Sequence, residues 1–218
     1  MSKQTFMEQK LYIPLLLVAA LIAGSRWHPN SVLHYYAAFY ILLILYAAKT
    51  FKKPLPKGAL SVKRGLPFWA AFALTIAGLF LARFLERRLQ QFFILTYQDD
   101  GVIDVITRTS SEMFLYVSVM MFLMPIGEGL FFRGMIISFE NKKKMLLTSI
   151  LSLILILLVR VEWWPGILVI LIPAIPLTVS YLVTKNIYLC MIAHILYSIY
   201  DNYEFVGYAI ARVIYQYN

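Results

Sequence analysis

The stretch MFLYVSVMMFLMPIGEGLFF, residues 113–132, is twenty residues long and holds one carboxylate, Glu128. A helix of about 20 apolar residues crosses the ~30 Å hydrocarbon core of a bilayer. In water such a run would have to be buried on every side. In lipid it needs only its own backbone hydrogen bonds. The same pattern recurs along the chain, at Leu11–Gly24, Val32–Ala48, Phe68–Phe84, Met145–Val161, Trp163–Thr184 and Ile187–Tyr200. Apolar residues make up 61% of the 218 and charged residues 14%, against roughly 25% charged in a soluble domain. The expected fold is all-α: a polytopic membrane helix bundle of about seven to eight transmembrane helices. One membrane domain accounts for residues 1–218, and residues 112–202 carry its motif residues.

Details of these blocks set further expectations. The first is short and ends in small residues, so a cleaved signal peptide stands as an alternative to the favoured retained helix. The block at Met113–Phe132 should continue as helix to about Glu140. Pro165, Pro173 and Pro176 should kink or break the sixth block. Phe205–Tyr217 is either an eighth span or an interfacial helix, and Leu85–Ser111 suits an interfacial helix followed by a loop.

Charge placement gives an orientation. The net charge is +9, and the basic residues cluster in short segments between apolar blocks, such as Lys49, Lys52, Lys53, Lys57, Lys63 and Arg64. That placement indicates topology and contact with anionic lipid, not nucleic acid. It puts the 49–67 loop, the amino terminus, Lys142–Lys144 and Lys185 in the cytoplasm, and Asp201 and Glu204 outside. Cys190 stands alone inside an apolar block, as a buried structural thiol. Trp163, Trp164 and the tyrosines fit an interfacial aromatic belt. His28 and His34 receive no role.

An ionisable side chain at the centre of a spanning helix costs roughly 2.5–3.5 kcal/mol on insertion scales. Three stand out: Glu128, Arg133 and His194. Glu128 lies 14 residues before Lys142, and His194 nine residues after Lys185. At ~1.5 Å per residue these are depths of roughly 20 and 14 Å. A carboxylate and an imidazole at similar depth can pair, and the carboxylate can take a proton from water. The same pair is also a workable helix-packing contact. His194, Ser198, Asp201 and Asn202 share one helical face. Arg133 follows Glu128 by five residues, about 140° around an α-helix, and shares a face with Gly129 instead. It doubles as a candidate snorkelling anchor.

The run Glu128-Gly129-Leu130-Phe131-Phe132-Arg133-Gly134 resembles the Glu-Glu-x-x-x-Arg-Gly motif of the CAAX protease and bacteriocin-processing family of intramembrane glutamate peptidases. His194 resembles the first residue of that family's His-x-x-x-Asn/Asp motif. The resemblance covers roughly Glu112–Asn202. It implies that Glu128 activates water and that His194 orients it or donates to the oxyanion, with Arg133, Ser198 and Asn202 completing the catalytic set. The implied substrates are membrane-anchored, prenylated or secreted-precursor peptides, reached through a hydrophilic cavity open to the cytoplasm. No cofactor or metal is expected. Membrane lipids are the other partners, in a bacterial plasma membrane.

Three departures qualify the match. Gly129 replaces the second glutamate, and Ser198 stands where Asn or Asp is expected. No histidine occurs in the following helix, where Phe-x-x-x-His belongs; the chain there reads Ser152 to Arg160 without one. Loss of a general base or oxyanion donor costs about a hundredfold or more in rate. Two functions therefore stay open: a peptidase with a reduced site, and a non-catalytic relative that binds a membrane partner as a regulator or immunity-type protein.

Overall fold

The computed structural model describes residues 3–27, 31–50, 66–92, 109–160 and 166–217. They form seven helices: α1 (Lys3–Trp27), α2 (Val32–Thr50), α3 (Leu66–Phe92), α4 (Ser110–Met135), α5 (Lys142–Arg160), α6 (Gly166–Thr184) and α7 (Ile187–Tyr217). No strand occurs among the described residues. Three helices are long and apolar enough to cross a membrane, at Val32–Thr50, Phe68–Leu89 and Ser110–Met135. Residues 51–65, 93–108 and 161–165 lie outside the described set, and with them most of the basic loop, the expected 85–111 loop beyond Phe92, and Trp163 and Trp164.

Local sequence fixes the helix ends. The Thr109 side chain caps α4 by accepting from Glu112 N at 3.2 Å, an N-cap bond that satisfies one free backbone donor. Asn141 Oδ1 caps α5 through Lys144 N at 2.7 Å. Asn186 Oδ1 caps α7 through Tyr188 N and Leu189 N. Lys185, at φ 52°, supplies the left-handed residue that ends α6.

Helix α4 departs from the expected regular geometry. It is π-helical at Ser118–Leu123 and Gly129–Met135, with an α-turn at Met124–Glu128 between them. Pro125 accounts for the first wide segment. It has no N–H and its ring crowds the carbonyl four residues back; that residue, Met121, lies in the widened turn. The second wide segment ends the helix at Met135, short of the expected Glu140. Ile136 N bonds Phe131 O at 3.2 Å, and Ser138 N is taken by Thr148 Oγ1 of α5 at 3.0 Å. The chain has left the helix to reach the Asn141 cap. In contrast, α7 is longer than expected: it runs unbroken through residues 201–204, where a break between two segments was anticipated.

Helix α4 sits at the centre. Its Val119, Phe131 and Phe132, with Ile136 just past its end, pack with Phe39, Tyr40 and Leu43 of α2 and Ile156 and Val159 of α5. Helices α3 and α6 approach closely where Gly78 meets Pro176, and a buried hydroxyl pair, Thr75 and Ser180, joins them at 2.7 Å. One end of the bundle gathers Phe68, Ile137, Tyr181 and Leu189, with the Lys185 ammonium over the Phe139 ring. The opposite end gathers Arg83, Glu86, Tyr116, Asp201 and Asn202. Between them lies the site.

Candidate active site

A cavity of about 140 Å³ opens between α3, α4, α5, α6 and α7. Glu128 and Arg133 line it from α4, and His194, Tyr197, Ser198, Asp201 and Asn202 from α7. The five residues named as a catalytic set, Glu128, Arg133, His194, Ser198 and Asn202, thus face one hollow. Glu128 is 2% exposed, Arg133 1% and His194 7%. Burial this complete removes the snorkelling reading of Arg133.

Arg133 reaches the cavity through the π-helical turn. On a regular helix its offset from Glu128 would point it elsewhere. With i→i+5 hydrogen bonding the turn widens, and residues five apart lie nearly above one another. The second wide segment begins immediately after Glu128, so it carries Arg133 round to the carboxylate's side.

Helix α2 supplies the contact that fixes Glu128. Tyr40 Oη donates to Glu128 Oε1 at 3.2 Å, across 88 residues of sequence. The Tyr40 ring lies so close to Gly127 that a Cβ there would fall 2.6 Å from Tyr40 Cδ1. Glycine at 127 is therefore what allows the ring to reach the acid. On the other side, a Cβ at Gly129 would overlap Met191 Cγ of α7. Met191 occupies the place into which a second glutamate would project.

Further along α7, Asn202 is held at both ends. Its Oδ1 accepts from Tyr116 Oη at 2.7 Å, and its Nδ2 donates to Ser198 O at 2.8 Å. One amide N–H remains beyond these two bonds. Asp201 bonds Arg83 Nη2 at 2.7 Å, and Arg83 Nη1 bonds Glu86 at 2.7 Å. Glu86, only 4% exposed, adds another carboxylate to the cavity wall. Polar exposure rises towards this end, reaching 22% for the Arg83 side chain and 29% for that of Asp201.

Sequence reading missed Glu86, Tyr40 and Tyr197. Glu86 falls in the Leu85–Ser111 stretch expected as an interfacial helix and loop, yet α3 continues past it to Phe92. A usable signal existed: Thr75, Leu79, Ala82 and Glu86 recur at helical spacing, and all four are buried. The tyrosines had been assigned to an interfacial belt. Tyr40, Tyr116 and Tyr197 are instead interior, and no local pattern distinguishes them from belt residues. Helix α5 contributes Ile156 to the cavity, an apolar side chain from the helix in which the resemblance leads one to expect a histidine. Among the described residues, no group of three or more His, Cys, Asp or Glu is placed to hold a metal ion. Cys190 is buried, with Sγ 3.5 Å from Leu177 O.

Residues 110–200 match the family model described as Rce1-like, type II CAAX prenyl endopeptidase Rce1-like. The resemblance drawn from Glu128, Arg133-Gly134 and His194 is thereby borne out over that segment. The match and the apolar helices together make the chain a membrane protein. No curated protein and no solved structure matches it.

Proposed function

We propose, with the Rce1-like match of residues 110–200 as premise, that the chain is a metal-independent intramembrane endopeptidase of the glutamate type. The observation that carries this reading is the convergence of Glu128, Arg133, His194, Ser198 and Asn202 on one hollow of mixed polar and apolar lining. A carboxylate, an imidazole and a guanidinium buried in a spanning bundle are costly, and such residues mark functional cavities. Glu128 takes a proton from water as that water attacks a peptide carbonyl, and returns it to the peptide nitrogen as the C–N bond breaks and the amine leaves. His194 orients the water or donates to the developing oxyanion, and the positive charge of Arg133 steadies the negative charge that forms. Ser198 and the remaining Asn202 N–H are further donors from the same helix face.

The size of the hollow bears on the substrate. A cavity of ~150 Å³ lined by apolar side chains holds one benzene ring. The hollow here, about 140 Å³, admits a peptide carbonyl and water but no prenyl chain. A lipidated substrate would leave its tail in the surrounding acyl chains. Membrane-anchored, prenylated and secreted-precursor peptides all meet that requirement.

Orientation follows from the positive-inside rule. Lys142–Lys144 and Lys185 mark the cytoplasmic face of a multi-pass protein of the plasma membrane, bacterial on the family resemblance, with the amino terminus inside. The Arg83–Asp201 end then faces outward. On this orientation the more exposed end of the cavity, at Arg83 and Asp201, lies towards the outer face.

A second reading has its own support. No histidine lies between Ser152 and Arg160 in α5, which lends the apolar Ile156 to the cavity, and Met191 fills the place into which a second carboxylate would project. On this reading the chain is a non-catalytic relative that holds a membrane peptide in the same hollow. One experiment separates the two. The purified protein in detergent is offered a panel of lipidated and transmembrane peptides, alongside Glu128→Ala and His194→Ala. Cleavage by the wild type, lost in both variants, supports the peptidase. Absence of cleavage, with peptide binding intact in all three proteins, supports the binding protein.

A further inference from the structure

We infer that Tyr40 is the positioning residue for Glu128, supplied from α2, outside the segment that matches the family model. The inference rests on the peptidase reading and deepens it. Tyr40 Oη donates to Glu128 Oε1 at 3.2 Å, and Tyr40 is 0% exposed. It is not among the cavity walls, so it meets no substrate and acts through the acid it holds.

Its own position is closely determined. Tyr36, one turn earlier, stacks on it with ring centroids 6.2 Å apart and an interplanar angle of 14°. Phe39 meets it edge-on at 4.9 Å. Tyr36 Oη reaches Val159 O of α5 at 3.4 Å, tying the stack to a neighbouring helix. Across from these, Gly127 leaves the ring no intervening side chain. The hydroxyl is thus delivered to the carboxyl by a ring with little freedom to turn.

The consequence for chemistry is geometric. A carboxylate has two oxygens and about four acceptor positions. With Oε1 engaged by a fixed phenol, rotation of the group is restrained while Glu128 lines the cavity. The resembling motif carries a second glutamate where this chain has Gly129, and Tyr40 supplies a restraint on Glu128 from another direction. Preorganised hydrogen bonds of this kind are what hold a general base in productive geometry.

The test is Tyr40→Phe, which keeps the ring and its packing and removes one oxygen. The infrared difference between wild type and Glu128→Gln isolates the Glu128 carboxyl band. In Tyr40→Phe that band should be displaced, and peptide cleavage should lose about tenfold in kcat with KM unchanged, as for a lost hydrogen bond to a charged group. Tyr203→Phe, which removes an exposed hydroxyl outside the cavity lining, serves as the control and should leave both readouts as in wild type. An unmoved band overturns the inference, and so does a displaced band with unchanged kcat. If the wild type cleaves nothing and the band is still displaced, the peptidase reading fails while the hold of Tyr40 on Glu128 stands.

Discussion

Replacing Gly129 by alanine tests the packing that distinguishes this site from its relatives. The added Cβ would overlap Met191 Cγ, so either Met191 or the α4–α7 spacing must give. Overpacking of this kind costs about 1–3 kcal/mol, and we take ~2 kcal/mol for Gly129→Ala on that basis. Met191 is half-buried, so Met191→Ala belongs near the lower end of the range for truncation, about 2 kcal/mol. In the double variant the new methyl enters space that Met191 has left, and the clash disappears. The double variant should lose ~2 kcal/mol instead of the additive ~4, a coupling of about 2 kcal/mol, well within the range for residues in contact. Thermal unfolding in detergent reads this directly. For a chain of this length each kcal/mol moves the midpoint by roughly 2–4 °C. Each single variant should melt about 4–8 °C below wild type, and the double variant no lower than Met191→Ala. Additivity to within ~0.5 kcal/mol would mean that the two residues do not touch, and the account of the missing carboxylate would fall with it.

Three other outcomes are expected. Ile156→His places an imidazole in the cavity wall beside Glu128, and cleavage of a responsive peptide should rise by about tenfold or more; no rise, in a protein that folds and cleaves, refutes the placement of Ile156. Arg83→Ala leaves the buried Glu86 without its cation and should lower stability by about 1–2 kcal/mol, less than a fully buried pair because Arg83 and Asp201 are partly exposed. Adding Glu86→Gln should recover most of that loss in the same melting assay, and no recovery would show that the stranded charge is not the cause. Cys190, 1% exposed, should resist a water-soluble maleimide in the folded protein and react fully once denatured, so rapid labelling of the native state would contradict its packing.

The sequence determined the material of this protein. Apolar runs of membrane-crossing length dictate helices, because nothing else open to a chain in lipid satisfies its backbone. Spacing by itself placed His194, Ser198, Asp201 and Asn202 on one face of α7, since a regular helix is a rule that can be applied locally. It placed Glu128 and His194 at comparable depth for the same reason.

Tertiary structure decided the rest, wherever local regularity fails or the partner is distant in the chain. Arg133 lines the same cavity as Glu128 although spacing counted on a 3.6-residue helix points it elsewhere, and the π-helical turn after Glu128 supplies the rotation. Tyr40 touches Glu128 from 88 residues away, and no periodicity within α2 encodes that meeting. Glu86 joined the cavity once α3 proved long enough to carry it inward. Met191 and Ile156 acquire meaning only from what they stand beside. Local rules fix which face a side chain takes on its own helix, whereas the neighbour it meets is fixed by how the described helices pack together.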